Sequence, residues 1–245
     1  MTDVLLRLSD LTGGYLKDSD SLILKGISLT LSKGRVLGVI GLNGSGKSTF
    51  GKALMNLLPY RSGTIEFNGD HVEGKSTHEL SALGMVMMHQ GGVVFRNLSV
   101  RDNLRLAYGT HEAVSGELLE SLLSLMSPKR ERRQLMRMRA DRLSGGQRQV
   151  LALAMALACD PKLLILDEPS AGLSPTSVES TYEVLAKVRK LHPEMSMIVI
   201  EQNVAKAQAF CDECVLLEQG RIGKKFLRDG SDLQSIENSL FNDQV

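Results

Sequence analysis

Gly41-Leu42-Asn43-Gly44-Ser45-Gly46-Lys47-Ser48-Thr49 governs how every other segment of this chain is read. The residues ahead of it, Arg35 to Ile40, are short, apolar and β-branched, the signature of a buried strand. Behind it, Phe50, Ala53, Leu54, Leu57 and Leu58 recur at helical spacing, which predicts a helix opening near Lys47 and ending before Pro59. A strand, a glycine loop and a helix N-terminus form a cradle for an anion. The glycines let consecutive backbone N–H groups converge, and the helix dipole adds positive potential. In such a cradle Lys47 reaches the β- and γ-phosphates and the Ser48 hydroxyl ligates Mg²⁺. Gly41, Asn43, Gly44, Ser45, Gly46 and Thr49 complete the phosphate-binding stretch.

Working outward, 245 residues allow one large domain with a sizeable core. Twenty-nine Lys and Arg against 28 Asp and Glu leave a net charge of +1, so no global field draws the chain to nucleic acid or membrane. The longest apolar run, Val150 to Cys159, is too short to cross a bilayer, and no basic-then-apolar leader opens the sequence. Three cysteines point to a reducing compartment, so a cytoplasmic location is expected. Between Lys129 and Arg142 seven basic residues face two acidic ones, a local +5. No aromatic residue is interleaved for base stacking, so the block reads as a solvated helical face.

Strand-like runs cover Val4 to Leu8, Leu22 to Leu31, Ser62 to Phe67, Met85 to Met88, Lys162 to Leu166 and Met195 to Ile200, with another near Val215 to Leu217. Helical patterns alternate with the later ones. The expectation is α/β with a mostly parallel sheet, an antiparallel β part at the N-terminus, a helical insertion over residues 92–142 and a polar tail at 229–245, all within one domain of residues 1–245. Tyr15 sits in a polar loop, either lidding local core or stacking on a nucleobase.

Asp167-Glu168-Pro169 ends an apolar strand downstream of the phosphate loop, which suits metal-assisted phosphoryl transfer. Asp167 is placed to hold Mg²⁺, as the Walker-B acid of phosphate-loop enzymes does, and Glu168 to polarise the attacking water. Gln90 and Gln202 follow strands whose ends are expected to meet this site. Either amide can orient water or coordinate metal, but neither is a general base at neutral pH. Ser144-Gly145-Gly146, with Gln147 behind it, opens a second helix and makes a second anion-binding end. A site using both ends is most simply built from two chains. Cys211 and Cys214 lack a second Cys or His pair at ligand spacing and read as incidental.

The phosphate loop, Gln90, Leu143-Ser144-Gly145-Gly146-Gln147 and Leu164 to Pro169, in this order, resemble the nucleotide-binding subunit of an ABC transporter from about Val4 to Leu233. The resemblance implies a P-loop NTPase core of the ABC ATPase type. It implies a head-to-tail dimer in which ATP lies between one chain's phosphate loop and the other's Ser144 helix, with Tyr15 stacked on adenine and Gln90 coupling the site to membrane subunits. Finer stretches, Ser127 to Arg133, Ser170 to Pro175 and Ile200 to Asn203, are similar to the ATPases of branched-chain amino-acid uptake systems and their urea or amide relatives. That implies a second ATPase subunit, two transmembrane permeases, a periplasmic or extracellular solute-binding protein, and a place on the cytoplasmic face of the cell membrane. Lipid or lipopolysaccharide export is the rival reading. Repair, chromosome and translation ATPases of the same type are disfavoured by the short Lys47–Leu143 spacing and the single cassette.

Two departures from the wider family pattern stand out. Gln202 replaces the switch histidine, and Ser174 replaces the aspartate of the loop before the following helix. Gln202 can exchange hydrogen bonds with a γ-phosphate but cannot carry a proton. The site on this chain's phosphate loop is therefore expected to turn over slowly alone, with a partner contributing a fuller second site.

Overall fold

The computed structural model describes residues 3–16, 21–108 and 116–227. Two sheets stand at its centre. The first has four antiparallel strands, β1 (Val4–Gly14), β2 (Leu24–Ser32), β4 (Tyr60–Phe67) and β5 (Asp70–His71), in the order β2-β1-β4-β5. Asn68, with φ +52°, and Gly69 make the tight turn between β4 and β5 that an Asn-Gly pair favours. The second sheet takes β3 (Val36–Ile40), β6 (Met85–Met88), β7 (Leu163–Asp167), β8 (Ser196–Glu201), β9 (Glu213–Glu218) and β10 (Arg221–Leu227) in the order β10-β9-β3-β8-β7-β6. Its first five strands from β6 to β9 are parallel, and β10 runs antiparallel on the edge.

The helices are α1 (Lys47–Leu54), α2 (Thr77–Ala82), α3 (Val100–Tyr108), α4 (Gly116–Met126), α5 (Arg132–Arg137), α6 (Gly145–Leu157), α7 (Pro175–Leu191) and α8 (Val204–Phe210). Caps written in the sequence set several starts. Ser144 opens α6 with a capping box to Gln147, Ser174 caps α7 ahead of Pro175, and the Asn203 side chain caps α8. Ser99 plays the same part before α3, accepting from the Asp102 N–H at 3.1 Å. α2 and β10 lie where the sequence suggested only loop and tail. α2 is a six-residue turn with its own Ser76–Glu79 capping box, and β10 alternates too weakly to read as a strand until β9 offers it an edge. The tail at 229–245 lies outside the described residues.

Every residue of β3, β7 and β8 is buried, as expected of parallel strands covered on both faces. Alternation then splits the core in two. Leu37, Val39, Ile165 and Ile198 join Phe50, Leu54 and the antiparallel sheet on one side. Ile40, Leu166 and Val199 join α6, α7 and the helices between residues 100 and 137 on the other. The basic residues of 129–142 are exposed apart from the half-buried Arg132, and they are partly neutralised locally: Arg132 pairs with Glu120, Arg130 with Glu131 and Arg139 with Asp141.

The register has one consequence for function. Ile40 pairs with Glu201, Asp167 with Ile200 and Met88 with Leu166, so the loops that follow β3, β6, β7 and β8 leave the sheet side by side. This carboxyl edge is where open α/β sheets bind ligands.

Candidate functional site

The loop after β3 demands glycine. A Cβ on Gly41 would meet the Leu217 carbonyl oxygen at 2.4 Å, and Gly44 and Gly46 hold φ of +81° and +104°. The loop is pinned by the Ser45 N–H to Leu42 O bond and by the Gly220 N–H, which donates to Ser45 O. α1 makes its first internal bond from Phe50 N to Gly46 O, so the N–H groups of Lys47, Ser48 and Thr49 come before any intrahelical acceptor. The Ser45 Oγ is buried with no hydrogen-bond partner among the described residues. Free amides and an orphan hydroxyl at one helix mouth are what an anion satisfies.

Lys47 is only 4 % exposed. Its Nζ donates to Leu42 O at 2.9 Å and lies 3.7 Å from Glu168 Oε1. Burial pulls its pKa down, and the Glu168 carboxylate opposes that shift. Ser48 Oγ donates to Asp167 Oδ1 at 3.0 Å. Asp167 is equally buried, and desolvation pushes its carboxyl above the usual value although the Ser48 bond counters it. A hydroxyl and a carboxylate in contact are a hard-oxygen pair, the donor set that fits Mg²⁺.

Glu168 follows Asp167 with φ +47°, a left-handed conformation that a glutamate adopts only when its surroundings impose it. The Glu168 N–H donates to Ile200 O at 2.9 Å and its carbonyl accepts from Ala171, which hold the turn. Its side chain thereby swings toward β6, where Gln90 Nε2 donates to Glu168 Oε2 at 2.8 Å. Lys47, Ser48, Gln90, Asp167 and Glu168, predicted from five scattered motif positions, come together in one cluster.

Gln202, Tyr15 and residues 144–147 make no hydrogen bond to this cluster among the described residues. Gln202 follows β8 as expected, with an exposed side chain that makes no hydrogen bond among the described residues. Tyr15 follows β1 and is 44 % exposed, with its hydroxyl accepting from Lys52 Nζ at 3.1 Å and that ammonium 5.2 Å from the ring centre. Ser144 and Gly145 are exposed at the start of α6, with Gly146 half-buried. The Gln147 carboxamide is committed to the fold, accepting from Ser144 N at 3.0 Å and donating to Met126 O at 2.7 Å. No hydrogen bond among the described residues joins residues 144–147 to the phosphate loop.

Sequence reasoning passed over Glu201 and Gln149. Glu201 ends β8 as Asp167 ends β7, a charge closing an apolar strand, and that was the available signal. Gln149 gives its Nε2 hydrogen to Pro169 O, buttressing the turn at Glu168 from α6. Beside Gln90 there is also a groove of about 310 Å³ lined by Met87, His89, Val93, Ala107, Met155 and Cys159. Val93, Phe95 and Leu106 are exposed apolar side chains on the segments that bound or adjoin it. Cys211 and Cys214 are buried free thiols facing Gly38 of β3, and no metal-holding group of three or more ligands occurs among the described residues.

Comparison with known proteins agrees with the geometry. The profile of the ABC transporter family matches residues 24–171. A probable branched-chain amino acid transport ATP-binding protein, LivF, from Archaeoglobus fulgidus is 34 % identical over 89 % of this chain and 90 % of its own. The lipopolysaccharide export system ATP-binding protein LptB of Escherichia coli is 28 % identical over 82 % of each chain. A solved ATP-binding subunit of an ABC transporter superposes with a TM-score of 0.76 at 25 % identity over 98 % of both chains. With a phosphate loop, an acidic strand end and a glutamine gathered at one sheet edge, and with relatives that match nearly end to end, the chain belongs to the ABC transporter family as one of its ATP-hydrolysing subunits.

Proposed function

We propose that this chain couples ATP hydrolysis, in a head-to-tail pair of ATPase subunits, to uptake of branched-chain amino acids or a related small polar solute. The observation that carries the catalytic half is the contact set Lys47–Glu168, Ser48–Asp167 and Gln90–Glu168 at the carboxyl edge of the sheet. In this reading Lys47 and the loop amides from Gly41 to Thr49 bind the triphosphate, Lys47 exchanging Leu42 O for phosphate oxygens. Ser48 and Asp167, with Gln90, would hold Mg²⁺, which would supply charge neutralisation at the phosphates. Glu168 orients and polarises the attacking water, and Gln202 hydrogen-bonds the γ-phosphate. Tyr15 lies against adenine, with Lys52 shifting off its ring. The exposed Ser144-Gly145-Gly146 turn and Gln147 close the site of the neighbouring subunit. Ser174, which here only caps α7, leaves that interface without the usual aspartate.

The groove beside Gln90 is assigned to the membrane permease. It is apolar, open, and starts one residue from the glutamine that holds Glu168, so a helix seated there is coupled directly to the water-activating carboxylate. On this reading the chain sits on the cytoplasmic face of the membrane with two permeases and a solute-binding protein. None of the described helices is long and apolar enough to cross a membrane. The substrate class rests on the LivF relative and on the Ser170–Pro175 and Ile200–Asn203 stretches. The test is ATP-driven leucine uptake in cells or vesicles carrying the chain with its neighbouring permeases. Lys47→Ala is expected to abolish uptake, and unchanged uptake would overturn the proposal. The LptB relative supports a second reading, lipopolysaccharide export. ATPase stimulation by lipopolysaccharide rather than by a leucine-loaded binding protein would select it.

A further inference from the structure

The end of β8 carries a carboxylate that none of these roles uses. Glu201 is 1 % exposed, and no ion pair to it occurs among the described residues. Four donors fill its oxygens instead. Oε1 accepts from Ser170 N at 3.2 Å and the Tyr182 hydroxyl at 3.0 Å, and Oε2 accepts from Gln202 N at 3.2 Å and Asn203 N at 3.5 Å. A buried carboxylate with only neutral donors is a costly residue to keep at a strand end. What it alone supplies is two acceptor atoms that face different loops. Ser170 lies two residues past Glu168 on the loop leaving β7, and Gln202 begins the loop leaving β8. Tyr182 caps the pair from α7. Burial and the adjoining Glu201 charge push its phenol well above the usual range, so it stays a donor.

The turn at Glu168 needs such support. Its left-handed backbone is held by the Ile200 carbonyl of β8, by Gln149 at Pro169 and by Glu201 at Ser170, so β8 and α6 together determine where the Glu168 carboxylate points. We propose that Glu201 is a positioning residue that holds the Glu168 loop and the Gln202 loop at one separation, and so sets the rate of ATP cleavage without touching nucleotide. This rests on the reading above, in which Glu168 polarises the attacking water and Gln202 hydrogen-bonds the γ-phosphate.

Glu201→Gln in the full chain is the first variant. An amide has one acceptor oxygen, so it cannot hold both Ser170 N and Gln202 N. Glu201→Asp, one methylene shorter but still charged, cannot span both loops either and serves if the glutamine variant does not fold. Steady-state MgATP hydrolysis is expected to show kcat reduced at least about tenfold, since small misplacement of catalytic groups is expensive. KM for MgATP should stay within about twofold, the pattern of a lost transition-state interaction rather than lost binding. Val188→Ala, in the core on the same helix as Tyr182, is the stability control: its melting temperature falls and its kcat stays. Turnover within about twofold of wild type in both Glu201 variants overturns the proposal. So does a loss in Val188→Ala that tracks its melting temperature, because the effect would then be general destabilisation. A wild-type chain that neither binds nor cleaves MgATP, with Lys47→Ala indistinguishable from it, overturns the ATPase reading itself, a separate result.

Discussion

At the scale of single residues, the proposed chemistry divides between groups that bind phosphate and groups that act on water. Lys47 and Ser48 sit on α1 and move with the phosphate loop, whereas Glu168 sits on a strained turn held by its neighbours. Removing them should therefore give different kinetic signatures. Glu168→Gln keeps the shape and the Gln90 contact but not the basicity. Its phosphate release should fall about 10²–10⁴-fold while ATP affinity, read by equilibrium binding, stays within a few-fold. Lys47→Ala should instead lose MgATP binding itself, as seen by the same titration. The exposed Gln202 side chain makes no hydrogen bond among the described residues, which fits the proposed role at the γ-phosphate rather than one in holding the fold.

At the scale of elements, two local devices decide how well the site is framed. Ser144 accepts the Gln147 N–H and Gln147 answers at the Ser144 N–H, so the start of α6 is fixed before any ligand arrives. Ser144→Ala should cost about 1 kcal/mol of stability. Scanning calorimetry should show a melting temperature lower by about 2–4 °C. Farther from the site, Arg189 of α7 makes two hydrogen bonds, 2.6 and 2.7 Å, to the Asp212 carboxylate, which also accepts the Val36 N–H at the start of β3. Burial pushes the Asp212 pKa up, but these bonds outweigh it and hold the carboxyl below its ordinary 3.8. A depressed carboxylate stabilises fully above its unfolded value, and that stability is lost as pH falls through the folded one. Asp212→Asn should cost about 1.5–3 kcal/mol near neutral pH. The difference from wild type should shrink as pH drops below 3.8, measured by urea unfolding at each pH.

At the scale of the whole molecule, the phosphate loop and the Ser144 turn share no hydrogen bond among the described residues, which is why the complete site is assigned to two subunits. Gly145→Arg tests this without disturbing the fold, because a Cβ there meets only Leu173 Cδ2 at 3.9 Å. The variant should melt as wild type does and bind ATP at its own phosphate loop, yet hydrolysis and ATP-induced association, followed by light scattering, should be lost. Much of this was legible beforehand. The phosphate loop, the strand preceding it, the helix start at Ser144 and the acidic strand end all depend on contacts a few residues apart, so local pattern suffices to read them. Strand order, by contrast, depends on pairings between segments distant in the chain, such as Val36 with Met197 and Leu37 with Glu213. No periodicity states that β8 lies between β3 and β7, and only that order brings Glu201 and the Ile200 carbonyl to the turn at Glu168. The same holds for Lys52 over Tyr15. The sequence by itself picked out the residues proposed to bind and cleave a nucleotide; the tertiary structure alone decided which of them are held against one another, because long-range burial ranks strand neighbours and short motifs do not.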